Sequence, residues 1–271
     1  MARVSALTYR ETLWSDLFEG SRPSITCLEP AVLSLETALG LAPKPEAHPS
    51  SLELGPDLRR HVVWRMDGGF GCDDHLRWLL ARNYHIMVKG FSGRRAYHLA
   101  QQVKRWDRYG DVWLGRATLP IDLGRRIACW VKRRPKAGQF EHSYYLTTLK
   151  LPSKGVAVNL YNQRGGVEIE QFRQDKQGLH LSARRKQRFL AQKALILLTD
   201  LAHNLLADFY HSALVSSRFA DFGLKRIVRD LLAVEGCIQF ENDQVRHIAL
   251  LETHPYARTL LDCLVRYCSP G

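Results

Sequence analysis

Tyr161, Arg164, Glu168 and Lys176 are residue types, at a spacing, that could do chemistry on a phosphate. They lie in YNQRGGVEIEQFRQDKQGLHLSARRK, residues 161–186, whose pattern predicts a helix with Gly165 and Gly166 in its first turn. Arg164 and Glu168 are four residues apart and so share a helical face. Lys176 comes eight residues after Glu168, roughly two turns on, and falls near that face. Arg184, Arg185 and Lys186 extend the positive run. A carboxylate among so many cations suits a metal ligand beside phosphates; it also suits a solvated helix laced with ion pairs. A second carboxylate, Asp67, follows the apolar run HVVWRM (61–66) and precedes GGFG. Ligand sites of open α/β sheets gather at the carboxyl ends of strands, and glycines there allow a ligand or metal to approach closely. The same residues can make an ordinary Asp-capped turn.

The elements that would position these groups can be read from periodicity. Residues 24–41 predict an amphipathic helix, with Leu28, Val32, Leu35 and Leu39 at helical spacing. The Pro-rich stretch 42–56 predicts a loop. HVVWRM reads as a strand buried on both faces, CDDHLRWLLARN (72–83) as a helix and YHIMVKG (84–90) as a second strand, which together make a βαβ unit. Residues 91–140 predict short antiparallel strands, and SYYLTTLKL (143–151) a strand returning to the sheet. RFLAQKALILLTDLAHNLLADFY (188–210) is apolar nearly all round and predicts a buried core helix. A helix over 224–234 and a hairpin turning at END (241–243) complete the reading.

Charge is segregated along the chain. Of 271 residues, 45% are hydrophobic and 24% charged, the composition of a globular protein, and the net charge is +12. Residues 61–193 carry 26 Lys/Arg against 10 Asp/Glu, while the segments on either side are each slightly acidic. Such concentration points to a polyanion, because each phosphate neutralised releases counterions. No apolar run is long enough to span a membrane, and the N-terminal residues do not read as a secretory signal. Six cysteines without a CxxC pair or zinc spacing predict reduced, buried thiols.

Taken together, these residues resemble the DDE transposases of bacterial insertion sequences, in the branch with a Tyr-Arg-Glu-Lys signature. That signature runs Tyr, two residues, Arg, three residues, Glu, six residues, Lys. Tyr161, Arg164 and Glu168 fit it, whereas Lys176 follows after seven residues, which leaves Glu170 as a rival to Glu168. The resemblance also takes in WRMDGGFG (64–71) and AQKALILLTDLAHNLL (191–206), and spans roughly residues 60–210. It implies an α/β fold, a ribonuclease H-like mixed sheet with flanking helices. Residues 1–90 and 141–210 would form this core, 91–140 a β-rich basic insertion, and 211–271 a C-terminal helix and hairpin region.

The resemblance further implies Mg²⁺ in a two-metal site held by two Asp and one Glu, which promotes cleavage and strand transfer of DNA. Asp67 would be the second metal-binding Asp and Glu168 the Glu. Tyr161, Arg164, Lys176, Arg184 and Arg185 would hold DNA phosphates, and Trp113 or Trp130 would stack on an unpaired base or simply form a small core in the insertion. Transposon ends and target DNA would be the partners of a bacterial cytoplasmic protein, with a homodimer in the synaptic complex. The family's first Asp lies upstream on a buried strand. None of Glu11, Asp16, Glu19, Glu29, Glu36, Glu46, Glu53 or Asp57 follows a convincing one, so the core is expected to lack its N-terminal strands. Weak Mg²⁺ binding and little strand transfer are the corresponding expectations. A non-catalytic DNA-binding remnant and a nuclease of the same fold are the alternatives.

Overall fold

The computed structural model describes residues 1–6, 8–21, 23–41, 58–181 and 186–268, the side chains of 164–170 excepted. The expected loop at 42–56 lies outside them. The chain divides into two compact units, Glu19–Gly165 and Met1–Phe18 with Gly166–Gly271. This division differs from the core, insertion and tail expected from sequence. Its boundary falls inside one helix, α4 (Lys154–Gly178), between Gly165 and Gly166. Because α4 begins at Lys154, these glycines stand in mid-helix and not in the first turn, where each weakens the helix by about 1 kcal/mol relative to alanine.

The unit Glu19–Gly165 is built on a six-stranded mixed sheet flanked by helices. Its strands are β3 (Val63–Met66), β4 (His85–Lys89), β5 (Trp106–Tyr109), β6 (Val112–Ala117), β7 (Ala128–Lys136) and β8 (Gln139–Thr147), in the order β3-β4-β8-β7-β6-β5. Only β3 and β4 pair in parallel, joined by α2 (Asp73–Ala81) as the βαβ pattern requires. The basic strands β5–β7 continue the same sheet and do not form a separate body. β3 lies at the edge of the sheet and alternates between half-buried and buried residues, so it is not the two-sided core strand its composition suggests. Helix α3 (Gly93–Gln101), unanticipated because basic residues mask its apolar positions, is capped by Ser92 Oγ, which accepts from Arg95 N–H at 3.1 Å. Arg95 then makes a bidentate pair with Asp73 at 2.7 and 2.8 Å and ties α3 to α2.

One face of this sheet packs Met87, Trp130 and Tyr145 under Ala157 and Tyr161 of α4. The next residue along β8, Tyr144, points the other way and lies against Gly90. A Cβ at Gly90 would sit 1.9 Å from the Tyr144 ring. Gly90→Ala is therefore expected to destabilise this unit by about 1–3 kcal/mol through overpacking, measurable by urea titration. Helix α1 (Leu28–Ala38) buries Leu28, Val32 and Leu35 as its periodicity predicts, but Leu39, the fourth residue of that stripe, lies past the helix end and is exposed. It also buries Glu36, which accepts from Arg59 and Tyr84 at 3.0 Å and from Arg82 through two contacts.

The other unit holds a feature that the sequence did not announce, an N-terminal hairpin of β1 (Ala2–Ala6) and β2 (Glu11–Asp16). The hairpin packs on α5 (Phe189–Phe209). The buried positions of β2 are Thr12 and Ser15, while Leu13 is exposed. α5 is arranged in the same inverted sense. It buries Thr199, Asp200 and His203 and leaves Leu190, Leu197, Leu198, Leu201 and Leu205 exposed, so it is not the all-round core helix expected. Hydrogen bonding explains the inversion: Asn204 pairs with the backbone of Thr12 in both directions at 2.8 Å, as a neighbouring strand would.

At the heart of this packing, Arg3 bridges Asp175 of α4 and Asp200 of α5, and Ser15 donates to Asp200. His203 contacts Asp175 through Nδ1 at 2.7 Å and the Arg10 carbonyl through Nε2 at 2.9 Å. Both partners are acceptors, so both ring nitrogens donate and the ring is an imidazolium. Further on, Leu224–Arg226 (α6) opens a helical segment that ends in a π turn. The predicted hairpin forms from β9 (Gly236–Glu241) and β10 (Gln244–Leu250), with Asn242 and Asp243 at positive φ. Helix α7 (Ala257–Cys268) closes a core that includes Phe219, Leu231 and Leu260. Of the cysteines, Cys27, Cys129 and Cys263 are buried thiols, but Cys237 and Cys268 are exposed.

Candidate nucleic-acid interface

Asp67 stands at the carboxyl end of β3, beside the end of the parallel strand β4, and is exposed. Its backbone is extended, and its Oδ1 accepts the Gly69 N–H at 2.9 Å, capping the short 3-10 turn Gly68–Phe70. The turn lies close against the end of β4: a Cβ at Gly71 would come 2.5 Å from the Lys89 carbonyl oxygen. Lys89 itself is exposed, and its side chain passes within reach of Gly68. The turn therefore presents one acid and one cation at a strand end. Lys89 was missed from sequence because a terminal strand lysine has no spacing signal of its own.

Tyr161 and Trp130 are brought together, but as packing. Tyr161 is 8% exposed and Trp130 4%, and the Tyr161 ring meets Tyr145 at 4.8 Å. In this arrangement neither offers a face to a base. Trp113 belongs to a different group. It meets Phe140 edge-on at 5.6 Å and lies 5.5 Å from the Arg133 guanidinium, which also covers Trp106 at 4.3 Å and Phe140 at 4.8 Å. Arg133 thus already engages the rings of this cluster.

Lys176 is exposed on α4, next to the fully buried Asp175, and Asp67 and Lys176 fall in different units. The side chains of Arg164, Glu168 and Glu170, and the whole of Arg184 and Arg185, lie outside the described residues. Asp16 ends a strand, β2, which belongs to the two-stranded hairpin and not to the six-stranded sheet. Its polar inner face hid that strand from sequence. Asp16 pairs with Lys193 at 2.7 Å and accepts the Leu17 N–H.

Among the described residues, no group of three His, Cys, Asp or Glu side chains is placed to hold a metal. No helix among them is long and apolar enough to cross a membrane. Neither models of known protein families nor curated proteins gave a match to this chain.

Proposed function

We propose that the chain acts on DNA as a transposase of the DDE type, with Asp67 and Glu168 as metal-binding carboxylates. The observation that carries this reading is the exposed Asp67 at the end of a parallel strand pair, in a chain whose residues 61–193 hold a net +16. The Tyr-Arg-Glu spacing of residues 161–168 supports it from the sequence side. Asp67 suits a hard cation such as Mg²⁺: it is an oxygen ligand, and its Oδ2 makes no hydrogen bond among the described residues. When bound, a metal pair would clamp the attacking and leaving oxygens at phosphorus. The chain's own contribution at this turn is positional. The Gly69 N–H orients the Asp67 carboxylate, and Lys89 offers a point charge to a phosphate nearby. A ribonuclease H-like arrangement of the sheet belongs to the same proposal.

The test is a pair of variants, Asp67→Ala and Glu168→Ala, in an intact insertion-sequence element whose transposition is scored. Both are expected to abolish it, and retained transposition in both would reject the assignment. Asp16→Ala in the same assay examines an upstream acid that stands at the carboxyl end of a strand.

A second reading, a DNA-binding protein without chemistry, is favoured by one fact. The Asp67 carboxylate already has a structural role, because its Oδ1 caps the turn. On that reading, duplex affinity falls steeply with salt and is the same with Mg²⁺ as with an ionically matched monovalent salt.

A further inference from the structure

The loop between β6 and β7 and the segment before β5 enclose a cleft of about 740 Å³ within the unit Glu19–Gly165. Lys104, Arg105, Arg116, Arg125, Arg126 and Lys154 line it, and Asp122 is the sole carboxylate of the lining. Three of these cations are engaged. Arg105 and Lys154 share Asp107 outside the cleft, and Arg125 donates to the Tyr84 carbonyl at 2.9 Å. Lys104, Arg116 and Arg126 are exposed and make no hydrogen bond or ion pair among the described residues.

The walls are held in place. Leu123 is 3% exposed and anchors the loop in the core. The Asp122 carboxylate accepts the Gly124 N–H at 2.8 Å, so it serves the turn, and Arg77 donates to the Asp122 carbonyl at 3.2 Å. Besides the cations the lining holds apolar Leu119, Ile121 and Ile127 together with polar Gln102 and Thr118.

We infer that this cleft binds a single strand of nucleic acid, its phosphates on Lys104, Arg116 and Arg126 and its bases over the apolar floor. Converging like charges repel one another, and an anion laid among them removes that repulsion while releasing counterions. The volume is that of a small-molecule site, which is roughly 300–1,000 Å³, so it admits a few nucleotides of one strand and not the body of a duplex. The apolar floor would be wasted on a bare phosphate but suits the faces of unpaired bases. A pre-formed wall spares the ordering entropy that a mobile loop would lose on binding. The cleft includes neither Asp67 nor any residue of the Tyr-Arg-Glu spacing, so the inference stands whether or not the chain transfers strands.

The test is fluorescence anisotropy of a labelled single-stranded oligodeoxythymidylate, without divalent metal, across a salt series. The variant Lys104→Ala/Arg116→Ala/Arg126→Ala is compared with a control of equal charge loss, Arg60→Ala/Arg94→Ala/Lys150→Ala. The cleft variant is expected to lose at least about tenfold in affinity at low salt. Its log–log salt slope should shrink by about 2, near 0.7 for each phosphate released. The control should lose much less. Equal losses in both variants would mean bulk charge and would overturn the inference. So would a duplex of the same length that binds as tightly with the same dependence on the cleft, or inorganic pyrophosphate that displaces the strand at matched phosphate concentration. Circular dichroism checks the fold. Should the triple variant fail to fold, Arg116→Gln alone is expected to shrink the slope by about 0.7, and an unchanged slope would reject the cleft.

Discussion

Replacing Asp175 with alanine is expected to destabilise the unit that holds the N-terminal hairpin by about 3–5 kcal/mol. Asp175 is fully buried and pairs with both Arg3 and His203. Removing it leaves Arg3 with Asp200 alone and takes from His203 the carboxylate that holds its proton, and buried groups that lose such a partner carry the largest penalty available to a point change here. Hydrogen exchange provides the measurement. The amides of α5 should lose protection by that amount, while those of β7 and β8, in the other unit, should keep theirs. A loss below about 1 kcal/mol would show that water or a shifted Arg3 replaces the carboxylate.

The same cluster carries a pH dependence. Burial would lower the His203 pKa, but the hydrogen bond and charge of Asp175 outweigh it and hold the imidazole above its ordinary value. A raised histidine pKa contributes stability that is complete below about 6.5 and is lost as pH rises through the folded value. Asp200 acts in the same direction, since burial pushes its carboxyl up. Asp175 acts oppositely. Burial alone would raise it, yet His203 and Arg3 hold it below the usual carboxylate range, so its contribution is lost as pH falls through its folded value. Stability of the hairpin packing should therefore peak on the acid side of neutrality. Asp175→Asn should abolish the decline on the alkaline side that His203 causes.

Glu36→Ala is expected to destabilise the other unit by about 3 kcal/mol, less than a wholly buried pair would give, because Arg59 and Arg82 are partly exposed and can turn to water. Glu36 links α1 to Arg82, just past α2, and to Tyr84, just before β4. Burial opposes its ionisation, but hydrogen bonds from Arg82, Arg59 and Tyr84 prevail and lower its pKa. That contribution is present above the ordinary carboxylate pKa and is lost as pH falls through the folded value. Tyr84 is pushed up to about 12 by burial and by Glu36, so its contribution is lost as pH rises from about 10 towards that value. Tyr84→Phe should remove the alkaline step and keep the acid one. Urea midpoints measured across pH would separate the two.

The candidate acids show how unevenly a site can be read in advance. The strand end and turn at Asp67 were legible because β-branched and apolar residues precede it and glycines follow, a pattern that punctuates the chain whatever surrounds it. Trp130 and Tyr161 looked functional as residue types, yet they lie in one buried cluster. An aromatic near basic residues reads the same whether it faces solvent or the core. The strand that ends at Asp16 carries no sequence signal because β2 buries Thr12 and Ser15, so the alternation that marks a strand has the wrong polarity.

What the sequence determined by itself is what depends on near neighbours: the βαβ order from Val63 to Lys89, the turn at Asn242 and Asp243, the helical spacing of Leu28, Val32 and Leu35, and the clustering of positive charge. Only the tertiary structure decided which face of a helix goes inward. The composition of α5 predicts a helix buried all round, yet its leucines at 197, 198, 201 and 205 are exposed. Arg3, more than 170 residues from both Asp175 and Asp200, makes the polar face the buried one. Ion pairs of that separation leave no periodic trace. A helix carrying both an apolar and a polar stripe has two ways to pack, and the partner that satisfies the polar stripe selects between them.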